Sequence, residues 1–226
     1  MSFIDEVTLT PATVEDIDIV LDTIIEAEKS GTNIISSCLI FNITEQEYRK
    51  VLTSLLMEEY EDYEFALSGF LVAKHNDKKL GSLGSWIEGK NDTDSSIIKA
   101  NVLFTTIERD KLLEVQPNLK NLRGASFHRT KGALQLEYAY VKPEFRRKGV
   151  FTKLILEQIK RYRDIDPELP MAESILFREN YRSLNCFQKL NFQLKDSIDL
   201  KGQPSEKFFP YSERILMQFH KHQYPD

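Results

Sequence analysis

The sequence predicts an α/β fold of the α+β kind, a mixed central sheet flanked by helices, with an insertion ahead of one central strand. Three observations predict it. Two apolar stripes at helical spacing open the chain, a hairpin pattern follows, and strand and helix patterns then alternate to the end. The run from Tyr138 to Ile155 reads as a strand, a short cationic loop and a helix that opens at a glycine. The bulk composition is globular: 226 residues, 41% apolar and 11% aromatic, enough for one large domain spanning 1–226.

The elements follow in order. Leu9 lies in a first strand. Thr13, with Asp16 three residues on, marks a helix start before the stripe Ile17, Val20, Leu21, Ile24 and Ile25. Thr44 and Glu47 form a capping-box pattern ahead of Tyr48, Val51, Leu52, Leu55 and Leu56, again one helical face. Gly69 to Ala73 and Leu80 to Ile87 read as strands joined by the polar turn His75-Asn76-Asp77-Lys78. Residues 91–131 make a longer connection than a hairpin needs. They contain a candidate strand at Ala100–Thr106 and a candidate helix at Glu108–Leu113, so a folded insertion is expected. The strand Leu134–Val141, the glycine-opened helix, a strand near Ser174–Phe177, a helix at Asn180, and strands near Phe192 and Ile215 complete the order.

The cationic loop carries the chemistry. Pro143 ends its strand, having no N–H for a ladder and pushing Lys142 toward an extended conformation. Arg146, Arg147 and Lys148 precede Gly149, whose missing side chain lets backbone amides approach a ligand. Phe151, Leu154, Ile155, Ile159 and Tyr162 then recur as one apolar helix face. Unpaired N–H groups, a positive helix end and three cations at one point suit a phosphorylated ligand, and a solvated basic turn is the plainer alternative.

The stretch Arg146-Arg147-Lys148-Gly149-Val150-Phe151 resembles the acyl-CoA signature of the GNAT acetyltransferase superfamily, Arg/Gln-x-x-Gly-x-Gly/Ala, with Phe151 standing where a small residue is expected. Downstream, Asn180 to Phe192 resembles the second signature, Asn-x-x-Ala-x-x-x-Tyr-x-x-x-Gly-Phe, with Ser183 for Ala, Phe187 for Tyr and Asn191 for Gly. The order of elements also matches. The resemblance implies a GNAT-like fold and an N-acetyltransferase that moves an acetyl group from acetyl-CoA to a primary amine by direct attack. It implies that Arg146, Arg147, Lys148, Gly149, Val150, Phe151 and Thr152 bind the pyrophosphate, that Asn180 and Ser183 lie near the pantetheine arm, and that a backbone N–H at Tyr140 or Val141 holds the oxyanion.

Attack requires a neutral amine, and a lysine-like amine of pKa about 10.4 is almost wholly protonated at pH 7. Glu137 is the candidate general base, four residues before Val141 and on the same face of a regular strand. Gln135 stands where histone-modifying members of that superfamily more often carry an acid, and an amide cannot act as the base. Phe187 stands where many members of that superfamily place the tyrosine that protonates the leaving thiolate, so the thiolate leaves unassisted, or Tyr138, Tyr140 or a water supplies the proton, or, as the alternative function, the chain is a non-catalytic CoA-binding or regulatory module. The acidic run Glu58–Glu64 reads as a solvated helix end or as a guide for a cationic amine.

Composition narrows the classes further. The net charge of −5 argues against a general nucleic-acid binder. The two cysteines, Cys38 and Cys186, lie far apart and imply no disulfide framework. Together with the lack of a signal-peptide pattern and of any run of about 18 apolar residues, this leads us to expect a cytoplasmic protein without a membrane partner. Four histidines without ligand spacing predict no metal. The expected partner is an amine acceptor, small-molecule or protein, with a homodimer left open.

Overall fold

The computed structural model describes residues 2–58, 60–90 and 92–223. Glu59 of the acidic run, Asn91 at the head of the expected insertion, Met1 and residues 224–226 lie outside them. A seven-stranded sheet has the order β1-β2-β3-β4-β5-β7-β6, antiparallel except between β4 and β5. Its strands are β1 (Thr8–Pro11), β2 (Phe70–His75), β3 (Lys78–Ile87), β4 (Leu134–Val141), β5 (Met171–Phe177), β6 (Gln193–Asp199) and β7 (Glu213–His220). The helices are α1 (Ile17–Lys29), α2 (Ser36–Phe41), α3 (Glu45–Met57), α4 (Ser95–Thr106), α5 (Arg109–Asn121), α6 (Val150–Ile165) and α7 (Tyr181–Lys189). No helix among the described residues is long and apolar enough to cross a membrane.

Local sequence explains most of these elements. The Thr44 hydroxyl accepts the Glu47 N–H at 3.2 Å while the Glu47 carboxylate accepts the Thr44 N–H at 2.7 Å, the reciprocal capping that starts α3. Thr13 and Asp16 do open a helical segment, but as a short 3-10 turn that passes into α1. Asn76 and Asp77 adopt φ of 47° and 61°, giving the two-residue left-handed turn that suits the twist of the β2–β3 hairpin. α7 ends as its sequence requires. Asn191 sits at φ 64°, its N–H bonds to Gln188, and the Phe192 N–H bonds back to Phe187.

The insertion is folded, but one of its elements differs from expectation. Ala100–Thr106 is the second half of helix α4, not a strand, because Val102, Leu103 and Ile107 bury together against the α1–α3 cluster. α5 extends well beyond Leu113, and Glu108 lies at its N-cap. The six-residue α2 buries no side chain fully, so it left no periodic trace in the sequence.

Two apolar layers cover the sheet. α6 and α7 bury Val150, Leu154, Ile155, Ile159 and Phe187 against Leu134, Leu136, Val141, Ile215 and Met217 on one face. On the other, α1, α3 and α4 pack over Phe70 and Val72, with Tyr138 and Tyr140 at the margin.

Candidate active site

β4 and β5 pair at only two positions, Leu134 with Ala172 and Gln135 with Glu173. Beyond them the strands part. β4 continues to Val141 against β3, and β5 continues to Phe177 against β7. The Ser174 hydroxyl, donating to the Leu136 C=O at 2.7 Å, marks the apex of the wedge. Both strands are followed by helices, so the wedge opens at the carboxyl ends of parallel neighbours, where open α/β sheets receive ligands.

The loop after β4 forms one flank. Arg146 is extended, Arg147 and Gly149 take φ of 61° and 84°, and α6 begins at Val150. The first intrahelical bond runs from the Lys153 N–H to the Gly149 C=O at 3.0 Å, and no side chain caps the helix. The N–H groups of Val150, Phe151 and Thr152 therefore precede the helix ladder. Arg146, Arg147, Lys148 and Thr152 are exposed around them. Arg146 Nε also donates to the Val141 C=O at 2.9 Å, and its guanidinium lies 5.6 Å from the Tyr140 ring, which ties the loop to the end of β4. A Cβ on Gly149 would stand 3.4 Å from the Ile4 side chain, an ordinary contact, so the left-handed backbone and not crowding calls for glycine there.

α7 forms the other flank. The Asn180 Oδ1 accepts the Ser183 N–H at 3.4 Å and caps the helix, placing both residues at its head beside the end of β5. Phe187 is buried and meets Phe151 edge-on, with ring centroids 5.7 Å apart. Phe151 and Phe187, two of the departures from the sequence signatures, are thus one contact, joining α6 to α7.

The face expected for Glu137 needs correction. Glu137 pairs with Gly84 and Ala139 with Leu83, so Tyr138 is an extra residue, bulged at φ 55°. The bulge reverses the alternation. Leu136, Ala139 and Val141 pack on the α6 face, whereas Tyr138 and Tyr140 pack on the α1 side. Glu137 shares that second face, opposite to Val141, and an unbroken alternation would have placed the two together.

There Glu137 joins a buried ionic cluster. Arg129, from the loop after α5, donates to both Glu137 oxygens at 3.0–3.2 Å and lies 3.8 Å from Glu64. Lys99 of α4 pairs with Glu64 at 3.0 Å, and the Tyr138 hydroxyl donates to Glu64 at 3.0 Å. Burial alone would raise Glu64, yet Lys99 and Arg129 hold it below the ordinary carboxylate range. Burial raises Glu137, Arg129 opposes that, and the charge of Glu64 adds to the rise. Two carboxylates sharing one guanidinium are thereby driven apart in acidity. Gln135 is buried and donates to Glu173 at 2.8 Å, a neutral structural role.

Glu64, Lys99 and Arg129 were not singled out by sequence patterns. Glu64 was one acid in a run, and the two cations lie in the insertion. Among the described residues no cluster of His, Cys, Asp and Glu could hold a metal ion. A cavity of about 160 Å³ between Trp86, Arg161 and Tyr162 lies along the later turns of α6, away from Gly149, and contains none of these groups.

The model of the acetyltransferase (GNAT) family matches residues 39–192. The chain belongs to the GNAT acetyltransferase family. The GNAT fold is equally evident among solved structures. An N-acetyltransferase from Staphylococcus aureus Mu50 superposes with TM-score 0.64 at 11% identity, covering 94% of this chain and 100% of that one. The ribosomal-protein-alanine N-acetyltransferase of Brucella melitensis gives 0.55 at 15% identity, covering 94% and 99%. The PaiA N-acetyltransferase of Thermoplasma acidophilum, solved in complex with coenzyme A, gives 0.53 at 13% identity, covering 95% and 98%. No curated protein matches the sequence. GNAT enzymes are acyltransferases that use acetyl-CoA.

Proposed function

We propose that this GNAT protein transfers an acetyl group from acetyl-CoA to a primary amine by direct attack of the amine on the thioester carbonyl. The observation that carries the reading is the wedge between β4 and β5, with an uncapped helix start on one flank and the Asn180 cap on the other. The residues fit the ligand. Amides of Val150, Phe151 and Thr152, the side chains of Arg146, Arg147 and Lys148, and the bare Cα of Gly149 suit a pyrophosphate, and Asn180 and Ser183 would line the pantetheine arm.

Acetyl-CoA supplies the activated acyl group, and the chain supplies the remainder. Successive N–H groups on a strand point to opposite sides, so of Tyr140 and Val141 one faces β3 and the other the open edge of β4. That amide is the oxyanion donor, worth about a hundredfold or more in rate. Glu137 accepts the amine proton. Its acidity is weakened by burial while Glu64 stays ionised beside it, and a carboxylate held by Arg129 still has lone pairs to offer. Phe187 has no proton to give, so the thiolate, of pKa about 8.5, leaves without a side-chain acid.

The test has two arms. Calorimetric titration should show acetyl-CoA binding, and an amine screen should release CoA. kcat/KM should rise with pH through the elevated Glu137 titration, and Glu137→Gln should remove that limb and lower the rate by about 10²–10⁴-fold. Absence of acetyl-CoA binding refutes the transferase reading. Binding without turnover of any amine favours the non-catalytic module that Phe187 suggests. An unchanged pH profile in Glu137→Gln removes Glu137 as base.

A further inference from the structure

Beyond the wedge, one cation on the face that carries Glu137 makes no ion pair among the described residues. Arg214 follows Glu213 on β7 and pairs across the ladder with Phe177 of β5. Its neighbours Ile215 and Met217 point into the α6 layer, so Arg214 alternates onto the face that carries Glu137 and Arg129. Its guanidinium lies 6.0 Å from the Phe177 ring and 5.2 Å from the Phe209 ring, and its Nη1 donates to the Ala125 C=O. A guanidinium has five N–H donors.

The two carboxylates whose charges reach it, Glu137 and Glu64, are each held by another cation. Arg129 holds Glu137, and Lys99 holds Glu64. Beside its strand, Glu213 pairs with Arg178 at 2.7 Å, and Glu179 accepts from the Ser212 hydroxyl at 3.5 Å while its Oε2 is buried without a hydrogen-bond partner. Arg214 forms no ion pair among the described residues. Burial, with the like charge of Arg129, pulls its pKa below the ordinary arginine value even though Glu137 opposes this, as expected for a cation short of counter-charge. The rings of Phe177, Phe209 and Tyr211 fix the edge of this region, and the Tyr211 hydroxyl reaches the Ser30 C=O at 3.4 Å, bridging to the end of α1.

We propose that the acceptor amine carries a carboxylate, an amino-acid-like molecule, and that Arg214 is the residue that selects it. The inference rests on the transferase reading and adds the acceptor's chemical class. The same geometry speaks against a simple cationic acceptor such as a polyamine. Glu64 and Glu137, the acids that would attract one, already face Lys99 and Arg129. A planar carboxylate, by contrast, matches the fork of a guanidinium held between two rings.

The experiment compares α-, β- and γ-amino acids with the matching amino amides, following CoA thiol release at saturating acetyl-CoA. Amino acids should exceed their amides in kcat/KM by about tenfold or more, the scale of a charge-assisted pair. Arg214→Gln should collapse that ratio toward one, acting mainly through KM, and Arg214→Lys should restore part of it. Melting curves of both variants separate loss of selection from loss of fold. Amides equal to or better than amino acids overturn the proposal, as does an Arg214→Gln variant that keeps the wild-type ratio. Parallel titration with acetyl-CoA separates the two levels. If the cosubstrate binds and only amines without carboxylates are acetylated, the acceptor class fails alone. If it does not bind, the transferase reading fails first and the acceptor proposal falls with it.

Discussion

Replacing Arg129 with methionine should destabilise the protein by about 3–5 kcal/mol, the cost of stranding a buried partner charge. Arg129 is 16% exposed in its side chain, against 12% for Glu137 and 3% for Glu64. It makes three hydrogen bonds to Glu137 and lies 5.1 Å from the Trp86 ring centroid. Lys99 remains on Glu64 in the variant, so the loss falls chiefly on Glu137. Glu137→Gln alone should cost less, because Arg129 keeps Glu64 as a neighbour. The double variant should then be less destabilised than the sum of the singles, by about 1–3 kcal/mol. Urea unfolding followed by tryptophan fluorescence is the assay. Trp86 is the only tryptophan, so the probe lies beside the perturbed charge. With a slope of about 3 kcal/mol per molar urea, the midpoint should fall by about 1 M or more.

The pH dependence has a definite sign. The folded pKa of Glu137 lies above the unfolded carboxylate value of about 4.3, so its contribution to stability is full below that value and is lost as pH rises through the folded one. Removing Arg129 raises Glu137 further, so the deficit of the variant should grow toward neutral pH and shrink where the carboxyl is protonated. Glu64, held low, works the opposite way: its contribution is present above about pH 4.3 and is lost as pH falls through its depressed value. Stability of Arg129→Met within about 1 kcal/mol of wild type at pH 7.5, or strict additivity in the cycle, would refute a coupled buried cluster.

Other outcomes follow from single positions. Gly149→Val, at φ 84°, should weaken acetyl-CoA binding by about tenfold or more, since a β-branched residue strains a left-handed backbone that costs L-residues about 1–2 kcal/mol; calorimetry reads it, and unchanged affinity would remove this loop as the pyrophosphate site. Phe187→Ala should cost about 3–5 kcal/mol in urea unfolding, because the ring is buried between Phe151 and Phe192. In combination with Phe151→Ala the loss should be less than additive, and full additivity would mean that the edge contact carries no energy. Asn191→Gly should be neutral or mildly stabilising, and Asn191→Val should cost about 1–2 kcal/mol, both read as melting shifts, because the residue closes α7 at φ 64°.

The features legible in the sequence were those whose physics is local. The open start of α6 needs only a glycine after three cations, and the end of α7 needs only a residue that tolerates the left-handed region, which Asn191 does. The strand Leu134–Val141 was read with the bounds the structure has, but the side on which each residue lies was not. Parity along a strand can be read only while the strand is unbroken, and whether Tyr138 bulges depends on its pairing with β3. Ala100–Thr106 failed for a related reason. A short run of β-branched and aromatic residues suits a strand or a buried helix, and contact with the α1–α3 layer decided for the helix.

The sequence by itself therefore determined the order of elements apart from α2 and the insertion, the starts of α3 and α6, the end of α7 and the cationic loop, because capping, turn preference and periodicity act over a few residues. Only the tertiary structure decided which charges are free to act. Glu64, Lys99, Arg129, Glu137 and Arg214 come from five separate stretches, and a charge acquires its acidity and its role from what neutralises it across space. Folding makes Glu137 a weakened acid beside an ionised Glu64 and leaves Arg214, on the same face, without an ion pair among the described residues.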